Sequence, residues 1–214
     1  MKVYEKLLQD NKKWALGKTD QDPGFFDRLV HIQRPKILWI GCADSRVPPN
    51  EITQTDPGDI FIHRNVANLV VHTDMNMLSV LQYAVEVLEV QHVIVCGHYG
   101  CGGVKAAMSN TGFGLIDNWL RNIKDVYRYH QEEIDQLPSP NEQVDRLIEL
   151  NIEEQVYNLA KTSIIQTAWQ NKKAPHLHGW VYRLEDGIIH PLKEISPGEN
   201  LDHSIYAYDN LSGI

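Results

Sequence analysis

Three side chains that bind metals well lie at the end of, or just after, two short apolar runs of the sequence. Cys42 ends the run 36–42, and His98 and Cys101 lie three residues apart on the glycine-rich turn that follows the run 92–96. Each run has the form of a buried parallel strand, and the carboxyl ends of such strands form one edge of an open sheet. Two sulfurs and one nitrogen suit tetrahedral Zn²⁺ and leave a fourth position open, as in catalytic sites. The pattern predicts a zinc site, although inert buried thiols at strand ends would have the same spacing.

An acid and a base follow the first of these ligands at alternate positions. Asp44 and Arg46 lie two residues apart, so both side chains can face the predicted metal pocket and pair with each other. A surface ion pair worth about 0–1 kcal/mol is the structural alternative. Beside a metal with an open position, the pair makes a catalytic centre the better interpretation.

Three blocks of the sequence resemble the signature blocks of the β-class carbonic anhydrases. They are Cys-Ala-Asp-Ser-Arg at 42–46, His-Arg-Asn-Val-Ala at 63–67 and Cys-Gly-His-Tyr-Gly-Cys-Gly-Gly at 96–103. Their order and separation also match, and the similarity extends from about Trp14 to Tyr182. The resemblance implies a zinc lyase, a carbonate dehydratase, that hydrates carbon dioxide reversibly to bicarbonate and a proton.

The resemblance also implies roles for the residues already singled out. Zinc binding falls to Cys42, His98 and Cys101, and the catalytic dyad to Asp44 and Arg46. The implied cofactor is therefore one Zn²⁺ held by three protein ligands, and the implied small-molecule partners are carbon dioxide and bicarbonate.

Four further residues near these motifs need an interpretation. Gln33 resembles the residue that hydrogen-bonds substrate in the family, with a solvated loop amide as its alternative. Cys96 is not a ligand in the family, and a strand cysteine is expected to be a buried small hydrophobe. His176 and His178 alternate on a predicted strand and could chelate a metal, but the sequence shows no second ligand cluster, so a structural role on a strand face is expected.

One type of family member, type II, has a non-catalytic bicarbonate pocket built from a tryptophan, an arginine and a tyrosine. Trp39, Arg64 and Tyr182 match these three, and a guanidinium between two aromatic side chains is suited to an oxyanion. Resemblance to this type implies that Asp44 moves onto zinc as a fourth ligand in an inactive state, so that pH and bicarbonate switch the enzyme. Core packing of the two aromatic side chains and a surface position for Arg64 are the structural alternatives.

Two other functions fit the same residues. A related zinc hydrolase would act on carbonyl sulfide or carbon disulfide with the same metal chemistry. A non-catalytic protein would use zinc to stabilise its fold, or would bind bicarbonate as a sensor. A sensor has no need of Asp44 and Arg46, so the presence of both favours the enzyme.

The elements that must position these residues follow from the apolar spacing. The spacing predicts an α/β fold, a short and mainly parallel β-sheet flanked by helices, with an N-terminal helical arm. Strands are predicted at 36–42, 59–64, 92–96, 177–183 and 188–192, and helices after the arm at 75–90, 115–130 and 141–171. The 214 residues fit one domain, with the arm at about 1–31, a zinc-binding core at about 32–195 and a tail of unknown role at about 196–214.

Composition excludes several classes of partner. Twenty basic and 28 acidic residues give a formal charge of -8, which disfavours binding to nucleic acid or an anionic membrane. No apolar run approaches the roughly 20 residues that span a bilayer, and the amphipathic start does not resemble a signal peptide. Three cysteines without secretory features indicate thiols or metal ligands, so a cytoplasmic location is expected. The apolar face of the arm needs a cover, and family members assemble through such arms, so a homodimer or homotetramer is expected.

Overall fold

The structure is a computed structural model that describes residues 2–31, 33–172, 174–199, 204–209 and 211. The α-helices of these residues, in chain order, are α1 (Val3–Gln21), α2 (Phe25–His31), α3 (Pro49–Thr53), α4 (Met75–Gln82), α5 (Gly102–Ala107), α6 (Ile116–Tyr129), α7 (Gln131–Asp135), α8 (Pro140–Ala160) and α9 (Ser163–Lys172). The strands are β1 (Ile37–Cys42), β2 (Ile60–Asn65), β3 (His92–His98), β4 (His176–Arg183) and β5 (Ile188–Ile195). A π-helical turn (Tyr83–Val87) extends α4, and short 3₁₀ turns occur at Val66–Asn68 and Ser204–Tyr206.

The chain divides into two compact units, Met1–Arg34 and Pro35–Ile214. The first contains α1 and α2, so the predicted helical arm is confirmed. Trp14 of α1 meets Phe25 and Phe26 of α2 edge to face, with ring centroids 6.2 and 5.8 Å apart. Such edge-to-face pairs are favoured by the ring quadrupoles and tie the two helices together. No residue of α1 is buried.

The second unit is built on a five-stranded sheet in the order β2-β1-β3-β4-β5. The first three pairings of this order are parallel, and β5 runs antiparallel to β4. Because β1 and β3 lie side by side and point the same way, their carboxyl ends lie at one edge of the sheet. The predicted fold class, a mainly parallel α/β sheet flanked by helices, is confirmed.

The two faces of the sheet are covered differently. On one face α8 packs across β3, β4 and β5, and the main hydrophobic core lies between them. On the other face a small apolar cluster contains Trp39, Val47, Ile94, Cys96 and Tyr182. Alternation along the strands places Trp39 and Gly41 of β1 on this second face, together with Arg64 of β2.

The helical stretch predicted for 141–171 consists of two helices. Between α8 and α9, the Thr162 hydroxyl donates to the Leu159 carbonyl and accepts from the Ile165 N–H. A threonine that bonds the backbone in this way ends one helix and caps the next. Among the described residues, no helix combines the length and the apolar character needed to cross a bilayer.

The described part of the C-terminal segment lies against α9. The Gln166 side-chain amide donates to the carbonyl of Tyr206 at 2.9 Å and accepts from the N–H of Tyr208 at 2.9 Å. Leu211 is buried. This part of the tail is therefore held by α9, while residues 200–203, 210 and 212–214 lie outside the described chain.

Candidate metal centre

The three predicted ligands come together at the carboxyl edge of the sheet. Cys42 is the last residue of β1, His98 is the last residue of β3, and Cys101 immediately precedes α5. All three are buried, and one ligand atom of each lies within 4.8 Å of the others. In the described part of the chain, no other group of three or more histidine, cysteine, aspartate or glutamate residues has its ligand atoms within 4.8 Å of one another.

The residues fit a zinc ion. The two sulfurs lie 4.0 Å apart, and sulfurs that share a tetrahedral Zn²⁺ at about 2.3 Å each would be separated by about 3.8 Å. The His98 Nε2 is buried without a hydrogen-bond partner among the described residues, although buried polar atoms are normally paired. A cation placed between the three ligands satisfies this nitrogen.

The ionisation of the two thiols supports the same conclusion. Cys101 and, less strongly, His98 lower the pKa of the Cys42 thiol, whereas the Cys42 sulfur and burial raise the pKa of Cys101. Two adjacent thiols compete for one ionised state, and a divalent cation between them lets both ionise. A Cys-His-Cys zinc site is therefore present in this fold.

Tyr99 fixes the orientation of the His98 ring. The ring's Nδ1 lies 3.0 Å from the Tyr99 carbonyl oxygen, so Nδ1 carries the proton and Nε2 is left as the metal ligand. Tyr99 is itself held at both ends, because its N–H donates to the Tyr182 carbonyl at 3.0 Å and its hydroxyl donates to Glu149 of α8 at 2.6 Å. Sequence reasoning missed Tyr99 and Glu149, since the bond joins residues fifty positions apart.

Asp44 and Arg46 form a bidentate pair beside the ligands. Asp44 Oδ1 accepts from the Arg46 Nε at 2.9 Å, and Oδ2 accepts from Nη2 at 2.7 Å. The Arg46 guanidinium and the Arg46 backbone N–H together hold the pKa of the Asp44 carboxyl well below its usual range. The same Oδ2 lies 3.6 Å from the His98 Nε2. An ionised carboxylate is thus placed next to the metal position while it is bonded to an arginine.

Arg64 bonds the backbone that carries these groups. Its Nε donates to the carbonyl of Cys42 at 2.8 Å, and its Nη2 donates to the carbonyl of Asp44. The side chain is otherwise exposed. Arg64 therefore links the end of β2 to both the first zinc ligand and the acidic residue.

Trp39 and Tyr182 lie on the same face of the sheet as Arg64. Both belong to the small apolar cluster described above, and both are buried. A Cβ added to Gly41 would lie 2.6 Å from the Trp39 Nε1, so the absence of a side chain at Gly41 makes room for the indole. Both aromatic residues pack in this apolar cluster, and a role in bicarbonate binding stays a prediction.

Two further predictions concern single residues. Gln33 lies in the first unit and is exposed, and its role in substrate binding stays a prediction. Cys96 is buried in β3, and burial raises the pKa of its thiol. A buried neutral thiol behaves as a small hydrophobe, as expected from the sequence.

A row of amides on α8, buried at Asn151 and Gln155 and half-buried at Asn158, supports the loop after β2, and sequence reasoning missed it. From α8, Asn151 donates to the Ala67 carbonyl at 3.3 Å, Gln155 accepts from the Val70 N–H at 2.7 Å, and Asn158 donates to the Val70 carbonyl at 3.3 Å. Ala67 packs against the start of α5, next to Cys101, because a Cβ added to Gly103 would lie 3.3 Å from the Ala67 Cβ. The available signal was the spacing of three amides at i, i+4 and i+7 on one helix face.

A buried Cys-His-Cys triad at the carboxyl edge of a mainly parallel sheet, with an ionised carboxylate at its side, defines a zinc protein of the α/β class. Comparison with known families narrows this class, because the carbonic anhydrase family model matches residues 37–189. The chain belongs to the carbonic anhydrase family, and its solved relatives place it in the β class. It is accordingly a carbonic anhydrase, or carbonate dehydratase, an enzyme that hydrates carbon dioxide.

Individual relatives agree with this assignment. A carbonic anhydrase of Emericella nidulans is 44% identical over 196 residues, which cover 92% of this chain and 86% of the relative. The crystal structure of a β-carbonic anhydrase of the fungal pathogen Aspergillus fumigatus has a TM-score of 0.85 at 38% identity, over 89% of this chain and 91% of that chain. A tetrameric β-carbonic anhydrase of the filamentous ascomycete Sordaria macrospora has a TM-score of 0.87 at 38% identity, over 91% of this chain and 99% of that chain.

Proposed function

We propose that this protein hydrates carbon dioxide with Asp44 and Arg46 as its catalytic pair, and that Asp44 also acts as a switch. The observation that carries the proposal is the position of the Asp44 carboxylate. It is bonded to Arg46 on one side and approaches the unpartnered His98 Nε2 within 3.6 Å on the other. One carboxylate is therefore within reach of two alternative cations, the guanidinium and the metal.

Asp44 would orient the attacking nucleophile. Bound zinc supplies a Lewis acid that lowers the pKa of a water ligand to about 7. Asp44 is kept ionised because Arg46 lowers its carboxyl pKa, so it can only accept hydrogen bonds. We expect it to accept the hydrogen of the nucleophile and thereby direct a lone pair at the carbon of carbon dioxide. Arg46 would hold the Asp44 carboxylate in that position through its two hydrogen bonds.

The same carboxylate can close the site. The Asp44 side chain is only 18% exposed, so a carboxylate that loses Arg46 there is poorly solvated and needs another cation. The metal is the adjacent candidate, and Asp44 would become its fourth ligand. Such an exchange leaves no open position for substrate water, which is the inactive state of the proposal.

Arg64 would couple bicarbonate to this exchange. Its guanidinium now donates to the carbonyls of Cys42 and Asp44. A bicarbonate bound by the guanidinium would compete for the same donors, because their number and direction are fixed. Loss of the bond to the Asp44 carbonyl would free that segment to turn its side chain away from Arg46. Trp39 and Tyr182, on the same face, would contribute walls and neutral donors for the anion.

The catalytic part is tested by stopped-flow hydration of carbon dioxide against pH, with zinc content measured on the same sample. We expect activity to rise steeply with pH in zinc-loaded protein. Arg46→Ala should lower kcat by about 10²-fold, since a misplaced orienting group costs about that much. Arg128→Ala removes an exposed arginine that pairs with Asp125 and serves as the matched control. Zinc-loaded protein that is inactive up to about pH 9, or that hydrolyses carbonyl sulfide instead, would refute the proposed reaction.

The switch is tested by bicarbonate inhibition. Arg64→Ala should remove the dependence of the hydration rate on bicarbonate, while the Arg128→Ala control should retain it. The measured quantity is the change of the hydration rate with bicarbonate concentration. A uniformly lower rate in Arg64→Ala would therefore not be mistaken for loss of bicarbonate inhibition. Unchanged inhibition in Arg64→Ala would show that the pocket lies elsewhere.

We also propose that the arm mediates assembly into a homodimer or homotetramer. Along α1 the side chains of Val3, Leu7, Leu8 and Leu16 are exposed. A contiguous apolar face on the surface usually contacts another protein surface. The Sordaria macrospora relative is tetrameric. Light scattering should give a mass of at least two chains, and Leu7→Glu combined with Leu8→Glu should lower it. A monomeric native protein would refute this part.

A further inference from the structure

Three histidines meet at the edge of the sheet opposite to the zinc ligands. His92 begins β3, and His176 and His178 lie in the first half of β4. His92 is six residues before the zinc ligand His98 on β3, which corresponds to about 20 Å at about 3.3 Å per residue. This group, which we call the amino-edge histidine cluster, takes no part in the function proposed above.

The sheet register brings the three rings together. His92 pairs with His176, and His178 lies one pleat further along on the same face. The His92 Nδ1 lies 3.0 Å from the His178 Nε2, and the rings of His92 and His176 have centroids 5.6 Å apart. All three residues are partly exposed, so an ion from solvent can reach them.

The distance between the two nitrogens suits a shared metal ion. Imidazole nitrogens bind late transition metals at about 2.0–2.1 Å, so two in neighbouring positions lie about 2.9 Å apart at a right angle and about 3.3 Å apart at the tetrahedral angle. The observed 3.0 Å falls between these values. In the structure the two nitrogens face each other across a hydrogen bond, with ring centroids 5.2 Å apart, so each ring would turn to direct its nitrogen at a shared ion.

Two more side chains lie near the pair, but the ligand atoms of the group are not within 4.8 Å of one another as those of the zinc site are, so binding would draw them together. Glu194 of β5 lies directly opposite His178 and is exposed. The His176 Nδ1 lies 3.3 Å from the Ser196 hydroxyl, a long distance for such a bond, so rotation of that ring towards His92 costs little. Burial also lowers the pKa of both His92 and His178, and the neutral imidazole is the form that binds metal.

We propose that the amino-edge histidine cluster binds one divalent late transition-metal ion, of the nickel, copper and zinc class, separately from the catalytic zinc. His92 and His178 provide the chelating pair, and His176 and Glu194 provide the further ligands. Mixed imidazole and carboxylate ligands match these metals, whereas calcium and magnesium prefer oxygen ligands throughout. The alternative is a pair of neutral histidines that only share a hydrogen bond.

The test uses tag-free holoprotein that contains one zinc per chain. The protein is dialysed against nickel chloride at about pH 7.5, where imidazoles are neutral, and both metals are measured by mass spectrometry. The result expected is one additional nickel per chain with the zinc content unchanged. Nickel should also raise the unfolding temperature, because an ion that binds only the folded chain stabilises it.

Matched variants decide where the nickel binds. His92→Gln and His178→Gln each keep a side-chain amide that can hydrogen-bond its neighbour, and each should lose the additional nickel and the rise in unfolding temperature. His72→Gln removes an exposed histidine on another element, whose ring contacts the Asn158 carbonyl, and should keep both. Nickel bound equally by all three variants, nickel that replaces the zinc, or no additional nickel in the native protein would overturn the proposal. The zinc content and hydration rate of the same samples keep this outcome separate from the proposed function.

Discussion

Replacing Tyr99 by phenylalanine removes one hydroxyl and leaves the ring in place. The hydroxyl donates to the Glu149 carboxylate at 2.6 Å, and a hydrogen bond to a charged group contributes about 1.5–3 kcal/mol. Glu149 keeps its ion pair with Arg146 at 2.9 Å in the variant, so we expect the lower value, about 1.5 kcal/mol. The variant should be destabilised by that amount in urea unfolding.

The effect on zinc follows from the same number. The Tyr99 carbonyl lies 3.0 Å from the His98 Nδ1, so looser anchoring of Tyr99 lets the ring turn away from the metal. The loss of zinc affinity cannot exceed the energy of the bond removed. If all of that energy is lost from zinc binding, about 1.5 kcal/mol corresponds to a zinc dissociation constant roughly tenfold higher. Competition with a chromophoric chelator at fixed pH measures it directly.

A matched variant separates this effect from a general loss of stability. Tyr127→Phe also removes a phenol that donates to a carboxylate, that of Asp135, but this pair lies on α6 and α7. We expect Tyr127→Phe to leave zinc affinity unchanged. If Tyr99→Phe also leaves zinc affinity within about twofold of the native value while its stability falls, Tyr99 does not position His98 and the reasoning is wrong.

Three other predictions follow from the structure. Gly41→Ala places a Cβ 2.6 Å from the Trp39 Nε1, which should cost about 1–3 kcal/mol of stability and abolish bicarbonate inhibition. The control Gly17→Ala adds its Cβ in open space and should leave inhibition unchanged, and retained inhibition in a folded Gly41→Ala would place the indole outside the pocket. Removal of zinc with a chelator should lower the unfolding temperature, with recovery on adding zinc but not magnesium, and calorimetry would detect the contrary case of no change. Burial lowers the pKa of His92 and His178 from 6.5, so the unfolded chain binds more protons and stability should fall as pH drops below about 6.5; in the double glutamine variant, urea unfolding at about pH 7.5 and 5.5 should show a smaller fall, and an equal fall would contradict the assignment.

The metal centre could be predicted from sequence because each of its parts is local. Cys42 and His98 each end an apolar run, and the topology of parallel strands alone places such ends at one edge. The Asp44 and Arg46 pair is likewise a contact between residues two positions apart. The choice of a catalytic zinc site over inert thiols rested on the Asp44 and Arg46 pair and on the resemblance of the three sequence blocks to a known family.

The supports of the centre could not be predicted in the same way. The hydrogen bond between Tyr99 and Glu149 depends on how α8 lies across the sheet, and nothing near either residue in the sequence reports it. The amides of α8 at 151, 155 and 158 did leave a trace, since they interrupt a helix face that is otherwise apolar. Amides spaced along the buried face of a helix can therefore be interpreted as supports of a neighbouring loop. A single tyrosine gives no such indication.

The pairing of β3 with β4 sets the positions of functional residues at both ends of these two strands. At the carboxyl end it sets the Tyr99 N–H against the Tyr182 carbonyl at 3.0 Å, and at the amino end it sets His92 beside His176. The sequence showed the two histidines of β4 on one face but not the third, because His92 is more than eighty residues away. A slip of one residue between these strands would turn His176 to the face that α8 covers and move the Tyr182 carbonyl away from Tyr99. The support of the zinc ligand and the amino-edge histidine cluster therefore depend on one register and cannot vary independently.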